Sequence, residues 1–448
     1  MTEQDTTGAD DQSRRGRPDR RTFIESDRRV ARRLARPLRN FLDIEAAGGL
    51  ALLVATVAAL ALANSPAGDS IASFWEQDMT LLAVGDLDLT ETIGHWINDG
   101  LMAIFFFVVG LEIKRELVTG ELRDPRRAAL PAIAAIGGMA VPAGMYLLFN
   151  VGGDGSRGWG IPVATDIAFA VGVLALLGDR VPSQLKVFLL TLAIVDDIGA
   201  IALIAVFYAD DLSIPWLATA VALLFVMMAM RSLRVWYMPV YVVVGVAAWV
   251  ATLESGVHAT IAGVAIGLIT PARPLRPRPT DLTVGQNTSW SKLRDTVFEA
   301  KETMPVAERL QHLVHPWSSF IILPLFAFAN AGIELSGDRV GDAVSSPITV
   351  GVVVGLVIGK PLGILTLSAL ALRTGAGTLP RGVGMRHIAG AGALAGIGFT
   401  VSIFVTGLAF DEAPLVDEAK IGVLMASVVA AVLGALVLAR RSPEWAPE

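Results

Sequence analysis

The chain has 448 residues, of which 53% are hydrophobic and 17% are charged, and its mean hydropathy of +0.59 is too high for an ordinary soluble protein. It carries a net charge of −6 and contains no cysteine, which excludes a disulfide framework, a thiol nucleophile and a thiolate metal site. Long apolar runs instead predict an all-α polytopic membrane protein.

About twelve transmembrane helices are predicted from windows of roughly 17 to 25 apolar residues. They cover residues 44–64, 92–115, 128–150, 159–178, 183–208, 214–230, 235–252, 256–271, 314–334, 347–373, 383–409 and 417–439. These spans form one membrane domain, residues 41–440, with an Arg-rich disordered tail at 1–40 and a short tail at 441–448. A segment rich in proline and charge predicts a linker at 272–310.

The distribution of Lys and Arg predicts the orientation, because cytoplasmic loops are enriched in these residues. With the N-terminus in the cytoplasm, all of them except Arg157, Arg339, Lys420 and the intramembrane Lys360 fall on the cytoplasmic side. Both termini and the linker are therefore predicted to be cytoplasmic. The net charge says little about partners, and the basic tail is assigned to topology rather than to nucleic-acid binding.

A short β-hairpin is predicted on the outer face between the first two spans. Residues 79–84 and 87–92 flank Gly85-Asp86, which is typical of a two-residue turn. An exposed hairpin edge can pair with a second copy of the same chain. Residues 79–92 are therefore predicted to hold a homodimer.

Two spans carry signals of broken helices. Pro162 precedes Thr165-Asp166 in the fourth span, and glycines crowd the eleventh span just before Phe399-Thr400. Unwound backbone within a membrane is tolerated where protein buries it or where it lines a wet cavity. Their corresponding positions in units of spans 3–5 and 10–12 predict an inverted repeat whose broken helices cross at mid-membrane.

Four ionisable residues lie inside the predicted spans: Asp166, Asp196, Asp197 and Lys360. A charge at the centre of a membrane helix costs about 2.5 to 3.5 kcal/mol, so the four together cost on the order of 10 kcal/mol. Asp166 and Lys360 are suited to offset the dipole ends of broken helices, and Thr165 adds a hydroxyl oxygen. Intramembrane charges of this kind predict an ion pathway.

Asp196 and Asp197 are consecutive, so on a helix their side chains point about 100° apart. A natural division gives one carboxylate to a cation and the other to an ion pair with Lys360. Burial disfavours the ionised carboxylate, so a proton and a small hard cation compete for the same oxygens. Such competition is what an exchanger requires.

Seven motifs, in unbroken order over about residues 41–440, resemble those of the NhaA sodium/proton antiporters. They are Ala164–Ala170 (ATDIAFA), Ile194–Ala200 (IVDDIGA), Gly256–Thr260 (GVHAT), His315–Trp317 (HPW), Leu323–Gly332 (LPLFAFANAG), Gly359–Gly363 (GKPLG) and Gly396–Thr400 (GIGFT).

The resemblance implies a secondary active, electrogenic antiporter that exports Na⁺ or Li⁺ in exchange for a larger number of protons, without a cofactor. It implies that Asp197 binds the cation, with Asp166 and Thr165 at the crossing of the broken helices in the ion-binding set. It also implies that Asp196 carries a proton and pairs with Lys360. The expected location is the bacterial cytoplasmic membrane, where exchange serves sodium and pH homeostasis.

A cytoplasmic cluster sets the pH response in this family, and four residues match it: Glu112, Glu116, His312 and His315. Histidine titrates near neutrality, which suits such a role. The sequence departs from the family by having Gln311 where a glutamate is usual.

Two other functions compete with exchange. A membrane-embedded aspartyl protease also needs two buried carboxylates, but the sequence has no Gly-x-Gly-Asp motif and a protease has no use for Lys360. A passive cation channel is the second alternative, and the inverted-repeat pattern and the buried lysine argue against it. A transporter is therefore favoured over an enzyme.

Overall fold

A computed structural model of the chain describes residues 46–84, 87–209, 212–233, 238–272, 305–335 and 337–439. Most of these residues are helical. In chain order the helices are α1 (Ala46–Ala63), α2 (Gly68–Trp75), α3 (Ile93–Val118), α4 (Pro125–Asn150), α5 (Ile167–Leu177), α6 (Ser183–Phe207), α7 (Ile214–Ser232), α8 (Met238–Leu253), α9 (Thr260–Ile269), α10 (Val306–Asn330), α11 (Gly337–Ser345), α12 (Pro347–Arg373), α13 (Met385–Ala395), α14 (Phe399–Ala409) and α15 (Ala413–Ala439).

Each predicted span overlaps one of these helices or a bent pair of helical segments, with ends that differ by up to eight residues. By length and composition, seven helices in the described part of the chain can cross a membrane, or up to ten spans if each bent pair counts as one. Helices α8 and α9, with 16 and 10 residues, fall short of that length. A multi-pass membrane protein is confirmed, whereas the count of twelve and the inverted repeat stay predictions.

The predicted hairpin is confirmed as a two-stranded antiparallel sheet of β1 (Asp78–Val84) and β2 (Leu87–Thr92). Val84 pairs with Leu87, and an irregularity in register lies between Thr80 and Leu82. Thr92 then caps α3 by accepting a hydrogen bond from the His95 backbone N–H at 3.2 Å. The hairpin is therefore joined directly to the second span.

Helix α2 was not predicted. It follows α1 after a turn at Pro66 and lies at 115° to it. Its Trp75 ring makes an edge contact with Phe328 of α10, with ring centroids 6.0 Å apart. Eight residues are too few for a span, so a search for apolar windows of spanning length does not detect this helix.

Helices α4 and α12 touch through their backbones. A Cβ atom added to Gly137 would overlap the carbonyl group of Gly363, and one added to Gly363 would overlap that of Gly137. Gly363 lies one turn after Lys360, and the preceding turn of α12, Gly355–Gly359, is a π-helix. Such π segments are frequent at functional sites. Because Gly363 lies only one turn after Lys360, the glycine contact fixes the position of the intramembrane lysine relative to α4.

Several predicted segments lie outside the described residues: the tail at 1–40, most of the linker at 272–310 and the tail at 441–448. At the end of that linker the boundary is corrected, because α10 begins at Val306 and includes the last five residues assigned to it. Pro305 precedes the helix and is compatible with its start.

Candidate functional site

Two bent helix pairs meet in the middle of the fold. A 3₁₀ helix, Asp154–Val163, precedes α5 and makes an angle of 43° with it, while α13 and α14 make an angle of 47°. The short breaks touch, because the Asp166 backbone N–H donates to the Ile397 carbonyl at 2.7 Å. Four helix ends are thereby brought to one place, two of them N-terminal and two C-terminal.

Asp166 caps both N-terminal ends. Its Oδ1 accepts the Phe169 backbone N–H of α5 at 2.9 Å. Its Oδ2 accepts the backbone N–H and the hydroxyl of Thr400 in α14, at 3.1 and 2.6 Å. The side chain is only 2% exposed. One negative charge therefore faces the partial positive charges of two helix ends.

Lys360 faces a C-terminal end. Its Nζ donates to the carbonyl of Val163, the last residue of the 3₁₀ helix. The same Nζ lies 2.8 Å from Asp196 Oδ2, and both side chains are fully buried. A lysine in this position offsets a helix end and a carboxylate at once.

Thr165 connects the other C-terminal end to the same carboxylate. Its Oγ1 lies 2.6 Å from Asp196 Oδ2 and 3.0 Å from the carbonyl oxygen of Ala395, which ends α13. Asp196 Oδ2 thus accepts from a hydroxyl and an ammonium group. Asp196 Oδ1 is buried and has no hydrogen-bond partner among the described residues.

Asp197 is in a different situation from its neighbour. It lies about 100° further around α6, is 7% exposed, and has no hydrogen-bond partner in the part of the chain that the structure describes. Its electrostatic neighbours include Asp196, Glu112 and Lys360. The pair therefore divides into one bonded carboxylate and one open carboxylate.

A cavity of about 390 Å³ approaches Asp197 along α6. Thr191 and Ile194 of α6 line it, and Ile194 is three residues before Asp197. Its polar wall comes from Glu112 and Glu116 of α3 and from neighbouring charged residues. Asp197 itself does not line the cavity, which reaches Ile194, one helical turn before it, and Glu112, which is one of its electrostatic neighbours.

The four residues of the predicted pH-response cluster are only partly brought together. Glu112 and Glu116 both lie on the cavity and flank Arg115, at 3.7 and 3.4 Å. His312 and His315 lie on α10 with exposed side chains and do not line this cavity. Among the described residues, Gln311 of α10 is hydrogen-bonded to α3, because its Oε1 accepts from Arg115 at 3.0 Å.

Thr400 is the site residue that sequence reasoning missed. In the sequence it lies two residues after the last glycine of the eleventh-span break, Gly398. A hydroxyl residue in the first turn of a half-helix is the signal that could have identified it. Such a hydroxyl can donate a hydrogen bond to a carboxylate that lies at the N-terminal end of the helix.

Comparison with known proteins identifies the relatives of this chain. Residues 39–438 match the family model described as Na⁺/H⁺ antiporter 1. The Na⁺/H⁺ antiporter NhaA 3 of Frankia alni is 46% identical over 411 residues, which cover 90% of this chain and 89% of the relative. The Na⁺/H⁺ antiporter NhaA of Shewanella loihica is 45% identical over 414 residues, which cover 92% of this chain and 99% of the relative.

The match extends over nearly the whole described membrane domain and includes both broken helix pairs and α6. It confirms the family that the seven motifs predicted. The chain therefore belongs to the Na⁺/H⁺ antiporter 1 family.

Proposed function

We propose that the protein exports Na⁺ or Li⁺ across the bacterial cytoplasmic membrane in exchange for protons. The observation that carries the proposal is the open carboxylate of Asp197 beside the fully buried Lys360–Asp196 pair, at the contact of two broken helix pairs. The relatives from Frankia alni and Shewanella loihica are named as Na⁺/H⁺ antiporters, which supports the proposal.

Asp197 is the proposed cation ligand. Hard cations such as Na⁺ prefer oxygen ligands, and an ionised carboxylate that is buried without a partner is costly. A proton or a cation relieves that cost, but each does so at the same oxygens. Loading one therefore displaces the other, which gives exchange rather than joint transport. No cofactor is required for this step.

Asp166 supports the cation site through its charge. Both of its oxygens accept hydrogen bonds in this conformation, so neither is free of protein contacts. Its negative charge still lowers the electrostatic energy of a cation nearby. The resemblance also implies Thr165 in the ion-binding set, but in this conformation its hydroxyl contacts Asp196 Oδ2 and the Ala395 carbonyl oxygen.

Asp196 is the proposed second proton carrier. Its pairing with Lys360 favours the ionised carboxylate, whereas its complete burial favours the neutral one. If Asp196 and Asp197 both exchange protons while Asp197 alone binds the cation, more protons than cations move in each cycle. Exchange is then electrogenic and can be driven by the membrane potential.

The pH response is assigned to the residues around the cavity. Glu112, Arg115 and Glu116 form a charged wall between the cytoplasmic ends of the helices and Asp197, and His312 and His315 lie beyond Gln311. A change in the charge of this region changes the local potential for an approaching cation. Gln311 cannot ionise, so the pH of activation should differ from that of relatives with glutamate there.

The orientation and the dimer belong to the same proposal. The positive-inside distribution of Lys and Arg supports cytoplasmic termini and a cytoplasmic opening for the cavity. The hairpin then lies on the outer face, where its exposed edge is suited to pairing with a second protomer.

The test is transport in vesicles that hold an inward-acid pH gradient. Addition of Na⁺ or Li⁺ should dissipate the gradient, and collapse of the membrane potential with valinomycin and K⁺ should change the rate if exchange is electrogenic. No cation-dependent change between pH 6 and 9 would overturn the proposal. Dissipation of a Na⁺ gradient without proton movement would identify a channel instead.

A further inference from the structure

The Thr165 hydroxyl lies between a carboxylate and a helix end. Its Oγ1 is 2.6 Å from Asp196 Oδ2 and 3.0 Å from the carbonyl oxygen of Ala395. Both oxygens are acceptors, but a hydroxyl has a single proton to donate. Thr165 is 1% exposed and Asp196 is 0% exposed, so bulk water does not supply a second donor.

The shorter of the two contacts is the one that an ionised Asp196 favours. Hydrogen bonds from a hydroxyl to a carboxylate are typically about 2.5 to 2.7 Å long and are roughly twice as strong as neutral ones. With Asp196 ionised, the Thr165 proton is therefore directed to Oδ2. The Ala395 carbonyl oxygen then accepts only a weaker hydrogen bond from the Thr165 hydroxyl.

Protonation of Asp196 reverses this preference. Oδ1 is buried and accepts no hydrogen bond from any described residue, so it is the oxygen that can take the proton without losing a contact. Oδ2 then belongs to a neutral acid and becomes the poorer acceptor. The Ala395 carbonyl ends α13 and carries the partial negative charge of a helix C-terminus. The Thr165 proton should therefore turn towards it.

We propose that the Thr165 hydroxyl is a two-position hydrogen-bond donor that links the protonation of Asp196 to the end of half-helix α13. Thr165 is then a positioning residue for the proton and not a ligand of the cation. The inference rests on the proposed exchange function and deepens it. Lys360 is placed to respond in the same way. When Asp196 loses its charge, the Lys360 ammonium group loses its ionic partner but keeps its hydrogen bond to the Val163 carbonyl at the end of the 3₁₀ helix.

The first test is the pH profile of Na⁺-driven proton movement in Thr165→Val. This variant keeps the shape of the side chain but removes the donor that stabilises ionised Asp196. The proton should be held more tightly, so the pH at which transport begins should move upwards by about one to two units, the size expected for one hydrogen bond to a charged group. Thr165→Ser keeps the hydroxyl and should retain the wild-type profile.

A matched control is Thr252→Val in α8. Thr252 is also buried, but its hydroxyl bonds only the Ala248 carbonyl of its own helix, at 2.8 Å, among the described residues. Its pH profile should not move. An unshifted profile in Thr165→Val, or an equal shift in Thr252→Val, would overturn the inference.

Cation binding by isothermal titration separates the positioning role from a ligand role. At a pH above the shifted transition, Thr165→Val should bind Na⁺ with a Kd within about twofold of the wild type, because both carboxylates are then ionised. A large loss of affinity that persists at every pH would make Thr165 a ligand and overturn the inference.

Infrared spectroscopy gives a readout that does not depend on transport. The band of a protonated carboxyl group that is absent in Asp196→Asn should vanish at a higher pH in Thr165→Val than in the wild type. If Thr165→Val does not fold, Thr165→Ala serves for the same measurement. Equal transition pH values with and without the hydroxyl would contradict the inference. Absence of Na⁺-dependent proton movement in the wild type would instead defeat the proposed function itself.

Discussion

Thr400 donates twice to one oxygen of Asp166, once from its hydroxyl at 2.6 Å and once from its backbone N–H at 3.1 Å. The two residues are 234 positions apart and belong to different broken helix pairs. Thr400→Val should remove the hydroxyl bond and leave a buried charge less well satisfied. We expect the protein to lose about 1.5 to 3 kcal/mol of stability.

The control for this change is Thr406→Val in the same half-helix. Thr406 is also buried, and its hydroxyl bonds the Ser402 carbonyl at 2.9 Å. Its replacement should lower the thermal unfolding temperature in detergent less than Thr400→Val does. Equal losses would show that the contact between the broken pairs adds no stability.

Lys360→Ala should destabilise the protein by about 3 to 5 kcal/mol, because it leaves the Asp196 carboxylate buried without its cation. Electrogenic transport should also be lost. The double variant Asp196→Asn with Lys360→Gln should recover stability without recovering full transport, as thermal unfolding and vesicle assays would measure. Strictly additive destabilisation in the double variant would argue that the pair is not coupled.

Asp197→Asn should abolish cation binding while the protein remains inserted and folded. The amide keeps the volume of the side chain but loses its charge and its titratable proton. Isothermal titration with Li⁺ or Na⁺ at alkaline pH measures the effect, with the exposed Asp69→Asn of α2 as the control. Undiminished binding by Asp197→Asn would remove this residue from the cation site.

Gly137→Ala should destabilise the contact between α4 and α12. The added methyl group would overlap the Gly363 carbonyl, and overpacking typically costs about 1 to 3 kcal/mol. Gly144→Ala on the same helix is the matched control, because no heavy atom lies within 4 Å of its added Cβ. A lower unfolding temperature is expected in the first variant alone. Similar temperatures in both would show that the two helices separate at little cost.

The hairpin should be needed for dimerisation but not for exchange. Every residue assigned to exchange lies in one chain, and the hairpin lies apart from them. Replacement of residues 80–90 by a short Gly/Ser linker keeps Thr92 as the cap of α3. Light scattering in detergent should then detect a monomer that still exchanges Na⁺ for H⁺ in vesicles.

Two outcomes would contradict this expectation. A variant that remains dimeric would move the interface to the membrane-spanning helices. A folded monomer without activity would show that the dimer takes part in transport.

Much of the site could be predicted because intramembrane charge is costly and therefore conspicuous. Asp166, Asp196, Asp197 and Lys360 stand out from apolar surroundings, and Pro162 marks one of the two breaks. The residue types and their places along the helices are enough for this inference, since neither depends on tertiary packing.

The partners within the site could not be predicted from the residues alone. Asp196 and Asp197 are equivalent in type, and a separation of 100° does not say which one faces Lys360. Which carboxylate faces Lys360 depends on the rotation of α6 about its axis. Packing determines that rotation, for example through the close contact of Gly199 with the side chain of Met139. The role of Thr400 could not be predicted either, because its partner Asp166 lies far away in the sequence and only tertiary packing brings the two together.

The direct backbone contact between Gly137 and Gly363 has a consequence for motion. With no side chain between them to repack, α4 and α12 should move as a single rigid body, and Lys360 becomes a fixed reference point within it. The unwound segments Ala164–Asp166 and Gly396–Gly398 are then the natural hinges. We expect the protein to open alternately to its two sides. Of its 448 residues, about six, those of the two hinge segments, should undergo most of the backbone dihedral change.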